Sequence, residues 1–313
     1  MKLYPTLQNR LPKNAHVHDL ITRDGIHIRG FFVTPEKPKG TIVILGGRAE
    51  FLERYFETTN DLLSRGFAVA SFDWRGQGGS QRLLNNPLRG HVKDFADYDT
   101  DLDTVMTRLV LPHCPRPFYA LAHSTGGHLL LRALRETKWF SRAVITSPLL
   151  GLHLGPWPMP VTRFLTGLMR LLWLDWVILP GFGHLPLKRE QFEGNPLTSD
   201  KRRFERDINT IEEHPALKLG GPTYGWLRAT LKSLDELHAW PKGKGPSCPT
   251  MIVTAGDDLV VNNEGTKRFI ARVPGISFLT IPSSRHEIMM EKDLIREKFL
   301  AAFDAFIGSG NSV

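Results

Sequence analysis

The stretch that most limits how this chain can fold is Phe118-Tyr-Ala-Leu-Ala-His-Ser-Thr-Gly-Gly127. A mostly apolar run enters a serine, two glycines follow, and Leu129-Leu-Leu-Arg-Ala-Leu-Arg135 then supplies good helix formers. The pattern predicts a strand that breaks sharply into a helix with Ser124 at the break, the form of a nucleophile elbow, usually written Gly-x-Ser-x-Gly. In so tight a turn the residues two before and two after the serine crowd each other, so both must be nearly free of side chain. Here they are Ala122 and Gly126, and the alanine adds one methyl to the usual pattern. Such a turn presents the serine oxygen above a sheet and aims the next backbone N–H, that of Thr125, at a reacting oxygen. The plainer alternative is an ordinary strand-to-helix turn.

The segments around this stretch read as a βα alternation. Residues 16–34 alternate apolar and polar about an Asp24-Gly25 turn, as an opening hairpin does. Lys39-Gly-Thr-Ile-Val-Ile-Leu-Gly-Gly47 is a continuous apolar run ended by glycines, the signature of a buried strand. Phe51 to Arg65 has helical spacing and Gly66 stops it; Phe67 to Asp73 is the next strand, leaving into the glycine-rich loop Trp74–Ser80. A helix is expected from about Phe95 to Leu111, and further strands at Arg142–Pro148, Pro249–Gly256 and Ile276–Ile281, before a last helix from about Lys292 to Ile307. Strands alternating with helices of this length predict a mostly parallel sheet covered on both faces.

The rhythm fails between 149 and 230, where prolines, aromatics and basic clusters replace strands. We read residues 1–148 and 231–313 as an α/β core and 149–230 as a helical cap inserted over the C-terminal edge of the sheet, the edge at which open α/β sheets bind ligands. Val161 to Leu179 is apolar but carries Arg163, Arg170 and Asp175, each costing roughly 2.5–3.5 kcal/mol at a bilayer centre. A cap helix turning Phe164, Leu168, Leu171 and Leu172 towards the site fits it better, with a surface helix resting on lipid as the alternative. The start of the sequence has no signal-like apolar core, and two cysteines, Cys114 and Cys248, make no disulfide framework, so a cytoplasmic setting is expected. The net charge of +8 favours anionic partners such as phospholipid headgroups, and peripheral contact with an anionic membrane is an expectation beside the plainer one of a solvated basic surface. That charge is not sorted into a nucleic-acid-binding stripe.

A serine hydroxyl needs a base, and the base needs an orienting acid. His123 adjoins Ser124 and should diverge from it, and His128 lies one turn into the helix, so both read as packing or surface residues. His286, in the loop Ser283-Ser-Arg-His-Glu287 between the last strand and the last helix, reaches the same sheet edge and is the expected base. The acid should follow the strand ending at Gly256, which offers Asp257 and Asp258. Asp73 precedes the nucleophile in the chain and is expected to hold the Trp74–Ser80 loop instead. The loop after Leu45 should supply a second backbone donor, from Arg48 or alternatively Ala49, with the Arg48 and Glu50 side chains read most plainly as a pair. Trp157, Phe164, Met169 and Trp173 are expected to line the pocket for an acyl chain.

At this point the chain resembles the α/β-hydrolases of the lysophospholipase L2 and monoacylglycerol lipase group, also called serine aminopeptidase S33-like hydrolases. The resemblance runs through Gly46–Tyr55, Phe72–Ser80, His91–Phe95 and the elbow, then Asn195–Asp200, Gly220–Leu227, Ala255–Val261 and Arg285–Glu291. It implies an α/β-hydrolase fold and a catalytic set of Ser124, Asp258 and His286, with Asp258 preferred because the family places its acid two residues after this glycine. It also implies hydrolysis of carboxylic esters, those of monoacyl lipids in particular, through an acyl-enzyme, with no metal and no organic cofactor. Gly46 stands where lipases of the group often carry histidine. The rival expectations are an aminopeptidase and a ligand receptor that has kept the fold without turnover.

Overall fold

The computed structural model describes residues 1–153, 158–182 and 189–308. Strands β1 (His16–Ile21) and β2 (His27–Val33) form the expected antiparallel hairpin. The chain then alternates as β3 (Thr41–Leu45), α1 (Phe56–Ser64), β4 (Ala68–Phe72), α2 (Ala96–Val105), α3 (Leu111–His113), β5 (Phe118–His123), α4 (Thr125–Ala133) and β6 (Arg142–Thr146). A π-helical stretch, Met106–Val110, joins α2 to α3 without a break. After α5 (Met159–Leu171), α6 (Lys201–Glu213) and α7 (Tyr224–His238), the alternation resumes with β7 (Thr250–Ala255), α8 (Asn263–Ile270), β8 (Ile276–Ile281) and α9 (Asp293–Gly308).

The strands form one eight-stranded sheet in the order β1-β2-β4-β3-β5-β6-β7-β8, parallel from β4 to β8 and antiparallel at the β1 and β2 end. Successive side chains of a strand point to opposite faces, and the wholly buried β3 shows why a continuous apolar run was required. Ile42 and Ile44 join Leu62 of α1 and Phe299 and Phe303 of α9 on one face. Val43 and Leu45 join Leu102 of α2, Leu130 of α4 and Ala229 of α7 on the other. Both faces are therefore helix-covered, and this is an α/β-hydrolase fold.

Between β6 and β7 the described residues hold helices and isolated bridges but no strand. Each of the later helices starts on a cap that the sequence supplies. Asp200 accepts from Arg203 N at 3.0 Å and Thr223 from Trp226 N at 3.2 Å, satisfying N–H groups that have no partner inside their helices. The segment end expected at 230 falls inside α7, which runs unbroken through Thr230. Arg285 donates to the carbonyls of Asn195 (3.0 Å) and Thr198 (2.9 Å), and Thr198 Oγ1 donates to Met290 O (2.7 Å), tying this middle segment to the loop that carries His286.

Candidate active site

Ser124 closes β5 with φ 51° and ψ −115°, a left-handed conformation that non-glycine residues adopt only when the surroundings enforce it. Three backbone bonds hold it here: Ser124 N donates to Thr146 O (3.0 Å), and Ser124 O accepts from His128 N (3.1 Å) and Leu149 N (3.0 Å). The requirement for small residues is also visible. A Cβ on Gly126 would lie 2.2 Å from Leu45 O, whereas Ala122 is accommodated wholly buried.

Asp258 and His286 meet beside this turn. His286 Nδ1 lies 2.9 Å from Asp258 Oδ2 and 3.1 Å from Oδ1, with both side chains buried. Val260 N (2.9 Å) and Val261 N (3.0 Å) also donate to Oδ1, so the carboxylate is fixed from two sides. Burial acts to raise the Asp258 pKa, but the hydrogen bond and charge of His286 and these two N–H groups outweigh it and hold the carboxyl below the usual aspartate value. Asp257 is exposed and its N–H donates to Ser284 O, away from the imidazole. Ser124 and His286 line one cavity, and no hydrogen bond joins Oγ to the ring; such bonds are often long until substrate is in place. Ser147 Oγ donates to His286 O (2.9 Å), anchoring the histidine's backbone.

Of the two residues considered as second donor, Ala49 N–H is already used, donating to Gln77 Oε1 at 3.2 Å. Arg48 N–H has no acceptor among the described residues, and Thr125, as the first residue of α4, has an N–H that the helix itself cannot satisfy. The loop passes close to the serine: a Cβ on Gly47 would sit 3.2 Å from Ser124 Cβ. Asp73 accepts from Gly79 N (2.8 Å), Leu52 N (2.9 Å) and Arg29 Nε (2.7 Å), and so holds the glycine-rich loop as expected.

The pairing of Arg48 with Glu50 is corrected. Glu50 instead accepts from Gly47 N and the Tyr55 hydroxyl and pairs with Arg54, which also binds Asp207 and Glu287, both at 2.5 Å. His123 belongs to this cluster: it is buried, its Nε2 lies 3.5 Å from Glu50 Oε1, and its ring centroid is 4.8 Å from that of His286. Burial lowers the His123 pKa to about 4, so the ring beside the candidate base is neutral. The i,i+4 spacing of Glu50 and Arg54 was the one local signal for this cluster.

The cavity that holds Ser124 and His286 measures about 730 Å³. Phe204 and Ile208 of α6, with Leu149, Leu152, Leu217 and Val260, form apolar wall. The expected lining is corrected here. Phe164, Met169 and Trp173 do not border this cavity, and Phe164 (68%) and Trp173 (80%) are exposed. Trp157 lies outside the described residues. α5 buries Thr162 and Thr166, packs on α7, and turns Phe164, Leu171 and Leu172 outward. Among the described residues no helix is long and apolar enough to cross a membrane, and no group of histidines, cysteines and carboxylates is arranged to hold a metal ion.

Residues 36–293 match the family described as serine aminopeptidase, S33. The chain is 32% identical over 305 residues to lysophospholipase L2 of Escherichia coli K12, covering 92% of this chain and 86% of that protein. It is 29% identical over 278 residues to a probable lysophospholipase L2 of Haemophilus influenzae, covering 88% and 86%. Among solved structures, a soluble variant of the Saccharomyces cerevisiae monoglyceride lipase in complex with a substrate analogue superposes with a TM-score of 0.72 at 18% identity, over 98% of this chain and 99% of that one.

Proposed function

This chain belongs to the serine aminopeptidase S33 family, and from that premise we propose that it is a serine hydrolase cleaving carboxylic esters of monoacyl lipids, lysophospholipids or monoacylglycerols, through an acyl-enzyme. The observation that carries this reading is the buried pair of His286 Nδ1 and Asp258 at 2.9 Å, on the same cavity as a serine held in a left-handed turn.

In this reading Ser124 Oγ attacks the ester carbonyl while His286 Nε2 takes its proton. Asp258 accepts from Nδ1–H, fixing the tautomer and supporting the imidazolium that forms. The N–H groups of Arg48 and Thr125 hold the oxyanion. His286 then protonates the leaving alcohol and activates water for deacylation. The segment between β6 and α7 acts as the cap, and the apolar wall receives the acyl chain, each buried methylene contributing about 0.8 kcal/mol. The outward face of α5 rests on a lipid surface, from which such a substrate is drawn. The carboxylates that could hold a peptide's free amine, Glu50, Asp207 and Glu287, are all bonded to Arg54, which argues against an aminopeptidase.

The test is a comparison of rates on a para-nitrophenyl acyl ester, a monoacylglycerol and proline naphthylamide. The reading expects turnover of both esters and none of the amide, with ester turnover falling at least roughly a thousandfold in Ser124→Ala. Cleavage of the amide at a comparable rate would instead identify a peptidase, and no turnover of any of the three by folded protein would point to a receptor.

A further inference from the structure

Arg48 carries a charge that the reaction as described does not use. Its side chain leaves the loop beside Ser124 and is wedged in one position. Nη2 donates to Gly220 O at 2.6 Å, the guanidinium carbon stands 5.4 Å from the centre of the Trp226 ring, and Gly90 leaves the room: a Cβ there would lie 2.5 Å from Nη2. Arg48 borders the cavity, yet among the described residues no carboxylate pairs with it, and its Nε is buried without a hydrogen-bond partner. Burial lowers its pKa to about 10, so it keeps its charge at neutral pH. Lys218, two residues from Gly220, borders the same cavity and also makes no ion pair among the described residues.

The distribution of charge in the cavity is therefore lopsided. Its three carboxylates gather round Arg54, while Arg48 and Lys218 stand without counter-charge among the described residues. A desolvated cation without a partner is costly, and an anion brought by the substrate offsets that cost. The acyl carbonyl must lie at Ser124, so this anion belongs to the other side of the ester, the leaving alcohol. From the Arg48 backbone nitrogen to its guanidinium carbon there are as many covalent bonds as from the acyl carbon to the phosphorus of a 1-acyl-glycero-3-phosphate ester. The guanidinium fork, whose geometry suits phosphate oxygens, thus stands at the same bond separation from the Arg48 N–H as the phosphorus does from the acyl carbon.

We propose that the Arg48 side chain, assisted by Lys218, is the headgroup-recognition group of the cavity and selects monoacyl lipids whose headgroup is joined through a phosphate ester over neutral monoacylglycerols. This rests on the ester-hydrolase reading above. The experiment uses the full chain with 1-lauroylglycerol and 1-lauroyl-glycero-3-phosphocholine, each kept below the concentration at which it aggregates. Wild type favours the phosphate ester, and Arg48→Gln lowers kcat/KM on it roughly 10- to 100-fold more than on the acylglycerol. Arg48→Lys, which keeps charge but loses the fork, shows a smaller selective loss, and Lys218→Gln shifts the ratio in the same direction. With wild type alone, glycerol 3-phosphate inhibits acylglycerol hydrolysis competitively. Equal losses on the two esters in folded Arg48→Gln overturn the proposal. Inhibition by inorganic phosphate as strong as by glycerol 3-phosphate, with an unchanged substrate ratio in Arg48→Gln, assigns the site to free phosphate and overturns the headgroup assignment. If wild type cleaves neither ester, it is the hydrolase reading that fails, and the proposal falls with it.

Discussion

His128 sits one turn into α4 with Nδ1 2.8 Å from Leu149 O and Nε2 2.6 Å from Ser233 Oγ, and none of its ring reaches solvent. Burial lowers its pKa from 6.5 to about 3, so the folded chain refuses a proton that the unfolded chain accepts. The stabilisation from keeping this ring neutral is complete above about pH 6.5 and drains away as pH falls towards 3. Between pH 7 and 4.5 that loss is about 2–3 kcal/mol, with the buried His123 acting in the same direction. Urea midpoints measured at both pH values should show His128→Gln, though less stable at pH 7, losing distinctly less on acidification than wild type. An equal loss in both proteins would contradict this. At this scale the sequence was informative about Ser124 and His286, because each stands where a parallel strand ends and such ends share one edge, whereas the strand end left Asp257 and Asp258 open and the family resemblance chose between them. It said little about the partners of Arg54, since Asp207 and Glu287 lie 153 and 233 residues away and no local pattern links them.

Among the elements, α5 shows where sequence pattern runs out. Its apolar residues announce a helix with one oily face, but periodicity does not say whether that face meets protein or something outside it. The small side chains of Thr162 and Thr166 let α5 approach α7, and Arg163 pairs with Asp235 to fix the contact, so the large residues are left outward. Phe164 (68%), Leu171 (74%) and Trp173 (80%) then form an exposed apolar surface on a chain with net charge +8. In the proposed reading α5 acts as a surface helix, of the kind held in the headgroup region by apolar burial and by attraction to anionic lipid. Sedimentation with phosphatidylglycerol vesicles should carry down the wild-type protein more than sedimentation with phosphatidylcholine vesicles, and the Phe164→Ser/Trp173→Ser variant should stay largely in the supernatant. Equal sedimentation of variant and wild type would remove α5 from the lipid contact. The elbow is the opposite case. Gly126 has no room for a Cβ because of the carbonyl of Leu45, and that crowding is what the small-residue pattern encodes.

For the whole molecule, the strand order β4-β3-β5-β6-β7-β8 sets the loops after β3, β5, β7 and β8 along one rim. Those loops carry Arg48, Ser124, Asp258 and His286, and the segment between β6 and β7 supplies the facing walls through Phe204, Ile208 and Leu217. The strands were readable because a buried parallel strand must be apolar throughout, whereas the middle segment is held by side-chain to carbonyl bonds such as Arg285 to Asn195 that leave no periodic trace. In the proposed mechanism this rim activates one serine among all those in the chain. That activation is tested most directly by the intact mass of the folded protein after reaction with a fluorophosphonate. A single adduct per chain is expected, located on the peptide containing Ser124 and missing in Ser124→Ala. An unlabelled wild-type protein, or an adduct that persists in Ser124→Ala, would contradict it.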